Sequence, residues 1–392
     1  MPRDRNAVLF VAVSLLLGFG GSMMAVASGI WVLDLSRSSS LAGLVGLCVY
    51  LPTLAGPWLG GYADRRPRRP LLVRTSIFAA VAMACLVAVR SPARIWLIFA
   101  VMLAYGVAVV LIDAADNALL AGAVPAAAIG TVNGLRTSAQ EGAKLVAPVA
   151  GAAVFAWYGG PEVAALTALV LAGVAVLYAL IRPGPVAPPG PARPGAATGL
   201  RFLWRHRTLR GLVGAGAVTI AMSGVATPAV FAVVVDVLHR PPEFVGVLAS
   251  AQGAGSILGG LLAGRLMGRA GEAGLSALGA LLFAAGTVAR ALPWWPATVA
   301  GSVVVGIGLP WTLVAAVTAV QRLTPDDLLG RVTASTTTAL FAPVAPATAI
   351  GAALVLADGR LALAAAAIGA ATAAATTART QLRGRLPLPG RQ

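Results

Sequence analysis

The chain has 392 residues, 58% of them hydrophobic and 11% charged, with a formal net charge of +16. An ordinary soluble domain is about half apolar and about a quarter charged, so this composition excludes one, whereas twelve spans of about 22 residues would use roughly 264 positions and leave the rest for loops and tails. The positive charge does not point to nucleic acid, because the arginines sit between apolar runs, where they face lipid headgroups and set orientation.

In chain order, the apolar runs fall near 7–33, 41–62, 71–89, 95–119, 132–157 and 162–181. A second set follows near 209–235, 244–264, 273–292, 297–320, 333–356 and 361–378. Each is expected to be helical, since a bilayer offers no water to backbone groups. With the N-terminus cytoplasmic, the outer loops hold only Arg37, Arg90, Arg94, Arg240, Arg290 and Arg360 of the 29 Lys and Arg residues. This bias puts both termini on the cytoplasmic face. Arg3, Arg5 and the small residues Ala25 to Ala27 raise the alternative of a cleavable leader. Against it, the first run continues through Leu35 and an equivalent run opens the second half. The only cysteines, Cys48 and Cys85, lie in apolar runs and indicate neither a disulfide framework nor a zinc site.

The turn after the second run reads GGYADRRPRR. Asp64, at a helix end among Arg65, Arg68 and Arg69, can form charge-assisted bonds that break when two halves of a carrier separate. Positive-inside topology alone accounts for the arginines but not for the acid. In the fourth run, Asp113, Asp116 and Asn117 are three and four residues apart and share a helix face. Carboxylates in a bilayer are costly unless wet or paired, so these read as a protonatable site, neutral in one access state and ionised in the other. The alternative is that the helix ends early and both acids are solvated; Asp113 is the better placed of the two. In the fifth run, Glu141 and Lys144 can neutralise one another beside a stripe of Arg136, Gln140 and Lys144. Proton coupling, a charged substrate and a purely structural ion pair all remain open there. On the same run Ala139, Ala143, Ala147 and Gly151 recur every four residues, a small face for close helix packing.

Arg182 to Gly199 holds six prolines and four glycines, which makes it a solvated linker. LRFLWRHRTLR (Leu200 to Arg210) then mixes apolar residues with arginines as an interfacial helix does. In the eighth run QGAGSILG (Gln252 to Gly259) approaches a dinucleotide glycine loop, but no strand precedes it, so it reads as helix packing, with Ser256, Gly260 and Gly264 as a further small face. His206 and His239 lie far apart in this plan, which supports no metal pair. Tyr50, Tyr105, Phe231, Trp311 and Phe341 fall near the middle of their runs, while Pro228, Pro310, Pro343 and Pro346 can break helices beside a cavity. These aromatics are substrate-pocket candidates, with packing as the competing reading, and the scarcity of midspan polar groups favours an apolar or amphipathic solute.

The halves repeat at an offset of 200. Gly60, Arg65 and Arg69 recur as Gly260, Arg265 and Arg269, while Pro125, Gly130, Val132 and Gly151 recur as Pro325, Gly330, Val332 and Gly351. Paired prolines and arginines at one offset indicate duplication. The expected organisation is a six-helix bundle over 1–181, a linker and interfacial helix over 182–208, a second bundle over 209–378 and a cytoplasmic tail over 379–392.

The sequence GGYADRRPRR resembles the cytoplasmic signature of the major facilitator superfamily, a Gly, three residues, Asp-Arg, then Gly-Arg-Arg. Gly60, Asp64, Arg65, Arg68 and Arg69 match it, and Pro67 stands where the family usually has Gly. The second copy, GLLAGRLMGR, keeps Gly260 and Arg265 but has Gly264 in place of the acid. VPAAAIGTVNGL (124–135), LRFLWRHRTLR and LTPDDLLGRV (323–332) look like the twelve-span efflux branch that includes macrolide and siderophore exporters. AKLVAPVAGA resembles the family's antiporter signature, keeping Pro148 and Gly151, with Ala143, Ala147 and Ala152 in place of glycines.

The resemblance implies an all-α polytopic fold of two six-helix bundles related by pseudo-two-fold symmetry. It also implies alternating access to a midplane substrate, gating by the first signature, and action as a monomer. The expected function is proton-coupled efflux of a small amphipathic compound such as a drug, antibiotic or siderophore-like molecule across a bacterial inner membrane. Protons and the lipid bilayer are the further partners, and no cofactor, metal, nucleic acid or enzyme chemistry is expected. Uptake or facilitated transport, and a non-transporting membrane scaffold or sensor that keeps the fold, are the alternatives, since fold does not fix ligand.

Overall fold

The computed structural model describes residues 5–182 and 196–385, and every regular element in them is helical. Of the linker expected over Arg182 to Gly199, residues 183–195 lie outside the described residues, as do residues 386–392 of the expected tail and residues 1–4. Residues 196–199 are not solvated linker but the first turn of a helix, because Gly199 packs on the Arg331 backbone. In order, the helices are α1 (Arg5–Ser36), α2 (Ser39–Tyr50), α3 (Gly56–Asp64), α4 (Arg68–Cys85), α5 (Ile95–Ala123), α6 (Ala126–Tyr158) and α7 (Gly160–Leu180). After α8 (Ala196–Arg205) come α9 (Arg207–Ala232), α10 (Phe244–Arg290), α11 (Trp295–Leu323), α12 (Asp326–Phe341), α13 (Val344–Val355) and α14 (Gly359–Arg385).

Nine helices among the described residues are long and apolar enough to cross a bilayer, and the bent pair Ser39–Ala55 with Trp58–Asp64, turned by 62°, makes a tenth. The 47 residues of α10 form two arms that meet at Gly271, where φ is 69°, a left-handed backbone that glycine adopts without a Cβ penalty. Helix α6 is 33 residues long but carries Arg136, Glu141 and Lys144, which lower its mean hydropathy. Each of the twelve runs read from the sequence thus falls on a helix, a broken helix or one arm of α10. The chain is a multi-pass helical membrane protein.

Duplication shows in the backbone as well as in the residues. Between α5 and α6, Val124 is extended (φ −125°, ψ 138°) and Pro125 caps the next helix; Thr324 (φ −103°, ψ 129°) and Pro325 do the same between α11 and α12. The reason is local, because a residue before proline is pushed out of the helical region. Of the prolines expected to break helices, Pro343 separates α12 from α13, whereas α9 and α11 run on through Pro228 and Pro310, and α6 through Pro148. In a membrane, neighbouring helices can satisfy the backbone groups that such prolines release.

The helices group into two compact units, Met1–Arg193 with His239–Gly253, and Pro194–Leu238 with Ala254–Gln392. The first turns of α10 therefore go with the first unit and α8 with the second.

In the first unit α1 lies against α6 and α7. A Cβ at Gly18 would sit 3.1 Å from the Ala143 Cβ, and one at Gly151 would sit 2.6 Å from Met23 Cγ and 2.8 Å from its carbonyl oxygen. The small face of α6, with Ala143, Ala147, Pro148 and Gly151 all buried, is thus a helix-packing surface. Beside it, the start of α10 presents Gly246, Ser250 and Gly253. Pro148 lacks an N–H and so frees the Lys144 carbonyl, which lies where a Cβ on Gly253 would come within 2.5 Å. Val149 N–H donates to Ser250 Oγ at 3.3 Å.

In the second unit the small face of α10 differs from the expected one. Gly255 and Gly259 meet α11 at Val303 and Ile307, and the Ser256 hydroxyl donates to Gly306 O at 3.3 Å, whereas Gly260 and Gly264 face open space. The second arm crosses α11 at Gly286 on Gly301, where each added Cβ would come 2.6 Å from the other's carbonyl oxygen. Helix α8 packs Gly199 on the Arg331 backbone of α12, and Leu203 is buried with Leu209 and Val332. Its Leu200 and Trp204 stay exposed, as an interfacial helix requires.

Candidate functional site

The first unit has an apolar core that includes Phe10, Leu72, Ile112, Leu119, Val132 and Val174. Into it α5 places Asp116 and α6 places Arg136. The two residues are 20 positions apart, brought face to face by the tight turn at Val124 and Pro125. The Arg136 guanidinium is ion-paired to Asp116 Oδ2, and the side chains are only 12% and 5% exposed. Tyr178 of α7, fully buried, donates its hydroxyl to Asp116 Oδ1 at 2.9 Å. Arg136 also donates Nε–H to Ser14 Oγ of α1 at 3.0 Å and lies 5.8 Å from the centre of the Phe10 ring. A buried pair is tolerable when further hydrogen bonds satisfy its remaining donors and acceptors, and here four helices supply them.

The edge of this cluster is exposed. Arg136 reaches Asn133 Oδ1 at 3.3 Å and Asn117 Oδ1 at 3.4 Å, both on exposed side chains. Asp113, one turn before Asp116, is exposed, so the carboxylate favoured from the sequence sits at the exposed edge and its neighbour in the core. Helix α5 continues to Ala123, and Asp116 is not solvated. Further along α6, Lys144 donates to Glu141 at 2.6 Å within one turn, both partly exposed, as their spacing allows. Tyr178 and Ser14 were not singled out from the sequence, where they read as isolated polar positions in long apolar runs.

The signature turn lies at one end of this unit. Asp64, Arg65 and Arg68 are exposed, Gly60 and Arg69 are half-buried, and no ion pair among the described residues includes Asp64. The arginines reach helix carbonyls instead: Arg68 donates to Ala118 O at 2.9 Å and Arg69 to Ala179 O. Asn6 similarly donates to Ala123 O and to Arg182 O, both at 2.9 Å. Ala123 and Ala179 are among the last carbonyls of α5 and α7, which have no partner within their helices, and Asn6 and Arg69 supply one.

Of the aromatic candidates, Tyr105, Phe231 and Trp311 are buried in helix packing. The Tyr105 hydroxyl fills the space beside Gly21, and Trp311 Nε1 donates to Gly259 O at 2.7 Å. Phe341 is half-buried in an apolar cluster, and Tyr50 is exposed. His206 caps α9, its Nδ1 accepting from Leu209 N–H.

The second unit lacks this chemistry. At the offset of 200, Ser14, Asp113, Asp116 and Arg136 correspond to Gly214, Leu313, Ala316 and Thr336, and Glu141, Lys144 and Tyr178 to Phe341, Val344 and Ala378.

Solved structures share this architecture. A nucleoside transporter, NupG, superposes with a TM-score of 0.75 at 12% identity over 97% of this chain and 100% of its own. A bacterial homologue of the human lysosomal transporter Spinster, in an inward-facing and unoccupied conformation, gives 0.72 at 17% identity over all of both chains. A D-xylose-proton symporter gives 0.71 at 16% identity over 95% of this chain and 96% of its own. At such identities these likenesses establish the fold. No curated protein matches the sequence. The profile of the Major Facilitator Superfamily matches residues 8–228, more than half of the chain and all of the helices that build the charge cluster, so the chain belongs to the Major Facilitator Superfamily.

Proposed function

We propose that this protein is a proton-coupled exporter of a small amphipathic compound, cycling by alternating access between its two six-helix halves. The observation that carries the reading is the buried Asp116–Arg136 pair with an exposed carboxylate, Asp113, one turn away. A proton arriving at Asp116 Oδ2 removes the anionic partner of Arg136. The guanidinium then keeps Asn117 and Asn133, which it already touches, and Asp113, one turn from Asp116 on the same helix, is the acid left at the exposed edge. Protonation thus shifts the balance of its partners, the kind of two-state element that a carrier cycle needs. Inward movement of a proton is worth about 2.3 kcal/mol per 100 mV, enough for a solute gradient of roughly fifty-fold in the ideal limit. The shortage of polar side chains at midspan favours an amphipathic solute over a sugar. Resemblance to the efflux branch favours export, and the kept Pro148 and Gly151 favour antiport.

The test is proton movement in sealed, energised vesicles challenged with a panel of amphipathic compounds, ethidium and a macrolide among them. Export predicts compound-dependent proton movement that Asp113→Asn or Asp116→Asn abolishes. Full coupling in both variants and in Glu141→Gln would reject the assignment. Accumulation of the compound down a proton gradient in the opposite sense would establish uptake instead.

A further inference from the structure

Beside the signature turn, but apart from the charge cluster, a cavity of 390 Å³ opens on the outer surface of the first unit between the end of α3, α4 and α5. Its polar wall is Arg66, Arg74 and Tyr62, with the Arg66 guanidinium 5.3 Å from the centre of the Tyr62 ring. Its apolar wall is Leu71, Phe78 and Leu111, and Phe78 is 53% exposed. Arg74 is the sixth residue beyond the start of α4, about 9 Å along the helix axis, so its guanidinium rises from a segment that crosses the bilayer.

No ion pair among the described residues includes Arg66 or Arg74. Two guanidinium groups at the edge of the hydrocarbon region, without a carboxylate, are poised for an anion. The apolar side chains that continue from them toward midspan, Phe78 one turn beyond Arg74, are poised for a hydrocarbon chain. One molecule carries both features in the right order, a phosphodiester headgroup with acyl tails attached. We propose that this cavity is a binding site for an anionic phospholipid, with the phosphate between Arg66 and Arg74 and an acyl chain along Leu71, Phe78 and Leu111. This assignment needs the membrane setting and is independent of the direction or coupling of transport.

Native mass spectrometry of the full chain tests it, after delipidation and titration with matched phosphatidylglycerol and phosphatidylethanolamine. The expected result is at least five-fold preferential retention of phosphatidylglycerol, lost in Arg66→Gln/Arg74→Gln and kept in the control Arg265→Gln/Arg269→Gln, two exposed arginines of the second copy of the turn that do not line the cavity. A photo-crosslinkable phosphatidylglycerol on the unmodified protein keeps the test independent of variant folding, since the adduct must map to residues 62–78 or 107–111. Equal retention of the two lipids, adducts mapping elsewhere, or displacement of the lipid by millimolar inorganic phosphate would each overturn the assignment, the last by showing a free-anion site.

Discussion

Tyr178 donates a hydrogen bond from its hydroxyl to Oδ1 of Asp116 at 2.9 Å, while Arg136 holds Oδ2, so a single carboxylate ties α5, α6 and α7 together at one point. Asp116→Asn keeps the volume and removes the charge, leaving the Arg136 guanidinium buried without its anion. That loss should destabilise the protein by about 3–5 kcal/mol, seen as a lowered midpoint of thermal unfolding in detergent. Adding Arg136→Gln should restore part of the loss, and a double-mutant cycle that shows no coupling would refute the pairing. Tyr178→Phe removes one hydrogen bond to a charged group and should cost about 1.5–3 kcal/mol.

Glycines at the helix crossings should respond unequally to the same substitution. Gly151→Ala forces a methyl group to within 2.6 Å of Met23 Cγ and 2.8 Å of its carbonyl oxygen, and overpacking of this kind should cost about 1–3 kcal/mol. Gly260→Ala meets nothing within 4 Å and should gain up to about 1 kcal/mol of helix propensity. Equal melting temperatures for the two variants would contradict the packing described here.

At the Arg-rich end, Arg69 supplies a donor to the Ala179 carbonyl, and Asn6 does so for Ala123 and Arg182. Arg69→Ala leaves the last turn of α7 without this donor. The expected cost is about 1.5–3 kcal/mol, the range for hydrogen bonds to charged groups, with faster protease cleavage near residue 180. Arg65→Ala, exposed and without such a bond, should leave the cleavage rate unchanged.

Ser250 receives the Val149 amide at 3.3 Å next to Pro148. Ser250→Ala should cost about 1 kcal/mol and speed amide exchange around Val149 roughly five-fold. Exchange as slow as in the unmodified protein would show that this contact contributes nothing to the hold of α10 on α6.

The apolar runs and the offset between halves were legible because hydropathy and proline spacing need no tertiary information. The partner of Asp116 was not: Arg136 lies 20 residues away across a turn and Tyr178 lies 62 away, and nothing local in either run announces the meeting. Midspan position likewise did not separate pocket from packing. Tyr105 and Trp311 sit at mid-helix, but the face each presents is set by the glycines opposite, Gly21 and Gly259. The glycines that bring α10 onto α11, Gly286 and Gly301, stood among 46 in the chain, and spacing alone did not distinguish them from Gly260, which touches nothing.

The loss of every counterpart to Asp116, Arg136 and Tyr178 in the second unit makes the two halves non-interchangeable. A tandem of two second halves could still insert as a stack of greasy rods and would keep the buried Arg290 guanidinium on Ser302 Oγ, but it would have no interior acid–base pair of the Asp116–Arg136 kind. A tandem of two first halves would carry the buried ion pair twice over. The duplicated plan thus carries its buried acid in one copy only, while the other holds a guanidinium against a serine hydroxyl.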